Sequence, residues 1–132
     1  MDLKFVATAC AILEIAAACD FLAPKRYLLA PIDRIVAPDS LGSTDTLRLE
    51  FYSSSGICDK VFDHLEVIRD SGFRSFAVWI REEPLPEGAN CGDVGIVLHF
   101  SEVVLPSERR DPMWLAFRQP FGPDSVRVVR WH

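Results

Sequence analysis

Residues 57–70, ICDKVFDHLEVIRD, carry the pattern on which the predicted fold depends. Apolar side chains recur three or four residues apart, as they do along one face of a helix: Ile57, Val61, Phe62, Leu65 and Ile68. Serines precede the segment and Gly72 follows it, at positions where helices commonly begin and end. The spacing therefore predicts one amphipathic helix over residues 57–70.

The segments on both sides of this helix alternate apolar and polar residues, as half-buried strands do. Six strands are predicted, over residues 27–36, 46–52, 73–81, 94–100, 113–118 and 125–131. Pro31 cannot donate to a ladder, so it indicates an edge or a break in the first. An isolated helix between runs of strands is typical of an α+β fold. We expect a mainly antiparallel sheet of five or six strands with one helix packed across it.

Length and charge limit the classes of partner. The chain has 132 residues and a formal net charge of −5, which favours one acidic domain, predicted over residues 27–132. A mild acidic balance argues against broad binding of nucleic acid. It is compatible with a protein partner.

The N-terminus, FVATACAILEIAAACD over residues 5–20, has the layout of an export signal. A positive charge on Lys4 precedes an apolar stretch, and three alanines lead into Cys19. Small residues followed by cysteine resemble the lipobox of bacterial lipoproteins. The resemblance implies that residues 1–18 are a signal peptide, that Cys19 carries the lipid, and that residues 19–26 form a short tether. It also implies a membrane-anchored protein facing the periplasm, and Asp20 favours retention at the inner membrane.

A second interpretation of the same stretch stays open. Glu14 places a carboxylate inside the apolar run, where an ionised group is costly in a membrane. The alternative is a structural N-terminal helix in a cytoplasmic interaction domain.

The predicted redox state of the cysteines depends on the compartment. Removal of residues 1–18 leaves Cys58 and Cys91 as a pair besides Cys19, and in an oxidising compartment the pair is predicted to form a disulfide. In the cytoplasm both would be reduced thiols. No metal-binding spacing occurs among the cysteines and histidines, so neither a metal nor a cofactor is predicted.

The long loop over residues 82–93, EEPLPEGANCGD, is the candidate binding segment. It is polar and rich in proline and glycine, and loops of this length are often functional. Its candidate contact residues are Glu82, Glu83, Glu87, Asn90 and Asp93.

Two histidines are candidates for acid–base chemistry, His64 and His99. Ser101, His99 and Asp93 could be grouped as a triad, but no nucleophile-elbow motif accompanies them. The chain is therefore predicted not to be an enzyme, with a small hydrolase that uses His99 or His64 as the alternative.

These features together predict a lipid-anchored cell-envelope protein that binds another protein. The contact would be made by a sheet face or by the loop over residues 82–93. An inhibitor or immunity-type lipoprotein fits the size and acidity by analogy.

Overall fold

The computed structural model describes residues 26–55, 59–85, 87–88 and 96–132. These ranges contain nine strands and one 3₁₀ turn, Pro106–Glu108, and no α-helix. The strands are β1 (Tyr27–Leu29), β2 (Ile32–Val36), β3 (Ser40–Leu41), β4 (Leu47–Ser55), β5 (Lys60–Asp70), β6 (Phe73–Glu82), β7 (Ile96–Val104), β8 (Met113–Phe117) and β9 (Ser125–Trp131).

Six strands form the larger sheet, called sheet A, around β6. β5 pairs antiparallel with β6 along one whole edge. β1 and β8 share the other edge: β1 runs antiparallel beside Trp79–Arg81, and β8 runs parallel beside Phe73–Phe76. β9 pairs antiparallel with β8, and the short β3 runs parallel to β9.

Sheet B has three antiparallel strands in the order β2-β4-β7. β4 is central, and its pairing with β7 runs from Leu47 opposite Val104 to Ser55 opposite Ile96. Residues 27–36 divide into β1 and β2 at Pro31, which is the break expected from its missing N–H. The Pro31 carbonyl accepts a 2.7 Å hydrogen bond from the hydroxyl of Ser53.

The core lies between the two sheets and is centred on Phe51 of β4. The ring centroid of Phe51 lies 5.0 Å from Phe76, 5.4 Å from Phe117 and 5.2 Å from Phe100. Aromatic pairs at such separations add stabilisation beyond their buried area. Alternating inward side chains complete the core, as the patterns of residues 46–52 and 73–81 predicted: Leu47, Leu49, Phe51, Phe76, Val78 and Ile80.

The predicted α+β class and its helix over residues 57–70 are wrong. Lys60–Asp70 is strand β5, so the described chain is an all-β sandwich. The register shifts between Phe62 and His64, where Asp63 is an extra residue. This bulge lets Phe62 and Leu65 face the same side three residues apart, a spacing that imitates a helix. Gly72 belongs to the turn between β5 and β6 rather than to a helix end.

The predictions for residues 1–18, Cys19, Cys58 and Cys91 lie outside the described residues. Within the ranges that are described, no helix has the length and apolar character needed to cross a membrane.

Candidate functional site: an aromatic groove beside β1

An open groove of about 600 Å³ lies where β8 ends and the short β1 takes its place on the edge of β6. Its walls are mostly apolar and include three aromatic rings. The lining residues are Tyr27, Leu28, Leu29, Pro31, Ser54, Lys60, Trp79, Ile80, Pro120 and Phe121. We call it the aromatic groove. Its volume lies within the range of natural ligand pockets, about 300–1,000 Å³.

The side chain of Gln119 holds one wall of the groove in place. Its amide accepts a hydrogen bond from the backbone N–H of Ile32 at 3.0 Å and donates one to the carbonyl of Ile32 at 2.9 Å. It also donates to the hydroxyl of Ser125 at 3.1 Å. Gln119 therefore fixes the turn that begins with Pro120 and Phe121 against the start of β2.

Phe121 is the most exposed large apolar side chain of the described residues, at 90%. Tyr27, which also lines the groove, is 48% exposed. Burying a phenylalanine side chain contributes about 1.5–3 kcal/mol of free energy. A partner that covers the exposed ring of Phe121 would therefore gain binding free energy.

The rim of the groove carries a network centred on Arg81, which β1 places opposite Tyr27. The Arg81 guanidinium donates to Asp63 at 3.4 Å and to Glu83 at 3.1 Å. Nδ1 of His64 lies 2.5 Å from Oδ2 of Asp63. Nε1 of Trp79 and Nε of Arg81 are buried without a hydrogen-bond partner within the described ranges. Buried polar groups without partners are uncommon and call for an explanation.

The pKa of Asp63 is held below its ordinary value of 3.8. The hydrogen bond with His64 is the largest cause, and Arg81 acts in the same direction, while burial opposes both. Because these groups favour the ionised carboxylate, Asp63 remains an anion and an acceptor at neutral pH.

The predicted binding loop begins at this rim. Glu83 binds Arg81 through its side chain and donates its backbone N–H to the carbonyl of Asp59 at 2.7 Å. Glu82 lies 4.0 Å from the guanidinium of Arg26, and its backbone N–H donates to the Arg26 carbonyl at 2.9 Å. Glu87 lies in a turn. Asn90 and Asp93 are outside the described residues.

The two candidate catalytic histidines are far apart in the fold. His64 lies on β5 at the rim, with its ring beside that of Trp79 at 6.3 Å. His99 lies on β7 of sheet B. No hydrogen bond joins either imidazole to a hydroxyl group within the part of the chain that is described, and Ser101 shares only a strand face with His99.

Four side chains on the outer face of sheet B form a separate polar cluster. The ring of His99 stacks on Tyr52 at 4.6 Å with the planes 10° apart, and the Arg34 guanidinium lies 5.2 Å over the same tyrosine. Nε2 of His99 is 3.5 Å from Glu50. We call these four side chains the tyrosine stack.

The groove residues Tyr27 and Phe121 were not predicted from the sequence. The signal available for Phe121 is its position in QPFGPD, residues 119–124, where an aromatic residue interrupts a proline and glycine turn. A turn does not need a phenylalanine for its geometry. Tyr27 carries no such signal.

In the described ranges no three histidine, cysteine, aspartate or glutamate side chains group as a metal site would. Family models, curated proteins and solved structures were compared with the chain, and none of the three comparisons gives a match.

Proposed function

We propose that this chain is a binding protein of the bacterial cell envelope, anchored by a lipid on Cys19, that captures an exposed segment of another protein in the aromatic groove. The observation that carries the proposal is the 90% exposure of Phe121 on a turn fixed by Gln119, in a groove that Tyr27 also lines. Aromatic residues are enriched where protein interfaces derive most of their binding free energy.

The groove selects a partner by shape and charge. Its apolar walls suit one or two apolar side chains, and its lining includes one cation, Lys60. A protein loop with an apolar tip flanked by polar residues fits this arrangement. An inhibitor or immunity-type lipoprotein would act through such a contact.

Photo-cross-linking in cells tests the groove. The photoreactive residue p-benzoylphenylalanine replaces Phe121 in one variant and Val36 in the control, because Val36 is 43% exposed but lies on sheet B. We expect a discrete adduct with a different protein from position 121 and none from position 36. The adduct should disappear when Tyr27→Ser is added. Equal adducts from both positions would contradict the proposal.

The intact mass of native protein extracted from membranes tests the anchor. A chain that begins at an acylated Cys19 supports it, and an unmodified full-length chain refutes it. In the cytoplasmic alternative residues 1–18 belong to the core, so deleting them should unfold the domain.

A second candidate function is a small hydrolase, and the 2.5 Å contact between His64 and Asp63 favours His64 over His99 as its base. A carboxylate at Nδ1 orients an imidazole for proton transfer. If the chain is a hydrolase, His64→Ala should abolish ester or amide hydrolysis without changing stability, while His99→Ala should retain it.

A further inference from the structure

At the other end of sheet A, four strands present a second exposed surface. The register places two rows of outward side chains across β5, β6, β8 and β9. The first row is Asp70, Phe73, Trp114 and Val128, and the second is Ile68, Ser75, Ala116 and Val126. We call these eight residues the apolar face.

The large side chains of the apolar face are exposed, and small residues occupy its centre. Ile68 is 51% exposed, Trp114 48%, Val126 47% and Phe73 38%. The small residues Ser75 and Ala116 form the floor between them. Single exposed apolar residues are normal on proteins, whereas a contiguous group marks an interaction site.

The arrangement of side chains on the apolar face is symmetric about the line between β6 and β8. In the second row the order is large, small, small, large, with Ile68 and Val126 at the two ends. In the first row Phe73 and Trp114 lie beside each other on either side of the line. A twofold axis along this line would bring Ile68 onto Val126 of a second copy and Phe73 onto its Trp114.

One pair of charges at the border, Asp70 and Arg130, follows the same symmetry. Asp70 lies on the β5 side, and Arg130 lies on the β9 side, two residues beyond Val128 on the same face. The rotation that superposes the apolar rows brings Asp70 near Arg130 of the second copy, and this contact occurs twice. Self-complementary patches of this kind are the requirement of an isologous dimer.

We propose that two copies of the chain pair face to face through the apolar face of sheet A. Strands about 4.8 Å apart, and side chains on one face about 7 Å apart along a strand, give a footprint of roughly 270 Å² per copy. Stable interfaces bury about 800 Å² per partner, so the dimer is weak and its dissociation constant is micromolar or higher.

Sedimentation equilibrium of the full chain in density-matched detergent tests the pairing over a range from about 1 to 1,000 μM. The wild type should pass from monomer to dimer. Val126→Arg should weaken pairing at least tenfold. Val97→Arg is the matched control, because Val97 is 66% exposed on β7 of sheet B and should leave pairing unchanged.

Charge reversal tests the geometry. Asp70→Arg and Arg130→Asp should each weaken pairing, and the double variant should recover most of the loss. A wild type that stays monomeric at every concentration overturns the proposal, and a different protein would then be the candidate partner of the apolar face. A loss with Val97→Arg equal to that with Val126→Arg, or a double variant that does not recover, also overturns it. None of these variants changes a groove residue, so the outcome is independent of the proposed function.

Discussion

Exposed aromatic residues of the molecule differ in how far the chain itself covers them. On sheet B, the His99 ring stacks on Tyr52 and the Arg34 guanidinium lies over the same ring. On sheet A, Trp79 is covered in a similar way by His64 and Arg118.

Three other rings lack such cover from the described residues. Tyr27 and Trp114 of sheet A are each 48% exposed, and Phe121, in the turn between β8 and β9, is 90% exposed. Burial of such rings is favourable, so these three rings, unlike Tyr52, would contribute free energy to a contact with a partner.

Loss of the hydrogen bonds by which Gln119 holds the groove wall should cause the largest loss of stability. Gln119→Leu removes three hydrogen bonds and leaves the N–H and carbonyl of Ile32 without those partners. We expect a loss of about 2–3 kcal/mol in the free energy of unfolding, measured in urea.

The matched variant for this position is Gln119→Glu, which keeps the acceptor for the Ile32 N–H but loses the donors. Its loss of stability should lie between wild type and Gln119→Leu. A Gln119→Leu protein as stable as wild type would show that the wall does not depend on the amide.

The two tyrosines compare the faces directly. Tyr52→Ala removes a stacked imidazole and a cation–π contact, each worth up to about 1 kcal/mol, so we expect a loss of about 1–2 kcal/mol. Tyr27→Ala, at the exposed groove wall, should change stability by less than about 0.5 kcal/mol. Urea unfolding of both variants tests the order, and a larger loss for Tyr27→Ala would reverse our interpretation of the faces.

The smallest expected effect concerns the rim of the groove at acid pH. Because the folded-state pKa of Asp63 lies below 3.8, the ionised carboxylate stabilises the fold fully above that pH. The contribution is lost as the pH falls through the lowered pKa.

Asp63→Asn should therefore be less stable than wild type at neutral pH, and the difference should close as the pH falls through the lowered pKa of Asp63. Urea unfolding at several pH values measures it. A difference that does not change with pH would mean that Asp63 acts through packing rather than through charge.

Sequence patterns predicted the strands of this fold better than its class. Alternation in Leu47, Leu49 and Phe51 identified β4 and its buried face, because strands with one buried side have a period of two. The same reasoning failed in β5, where the bulge at Asp63 changed the period. The parallel pairing of β6 with β8 depends on residues distant in sequence, and local patterns carry no information about it.

The sequence did not predict the residues that line the aromatic groove. Length and composition favoured the loop after β6 as a binding segment, which stays a prediction, and Glu83 of that loop accepts a hydrogen bond from Arg81. Phe121 and Tyr27 were missed because their roles depend on which strand ends meet at the edge of β6. Trp114 was assigned to a strand, but its outward direction beside the small Ala116 becomes visible only in the register with β9.

The parallel pairing of β6 with β8 has a consequence for how the chain reaches this structure. The connection over residues 83–112 contains β7, which belongs to the other sheet. Sheet A therefore closes only after the chain has crossed to sheet B and returned, and the entropy of closing long loops opposes that step. Folds dominated by such distant contacts fold in milliseconds to seconds, so β8 and β9 should be the last strands to gain protection from hydrogen exchange during refolding.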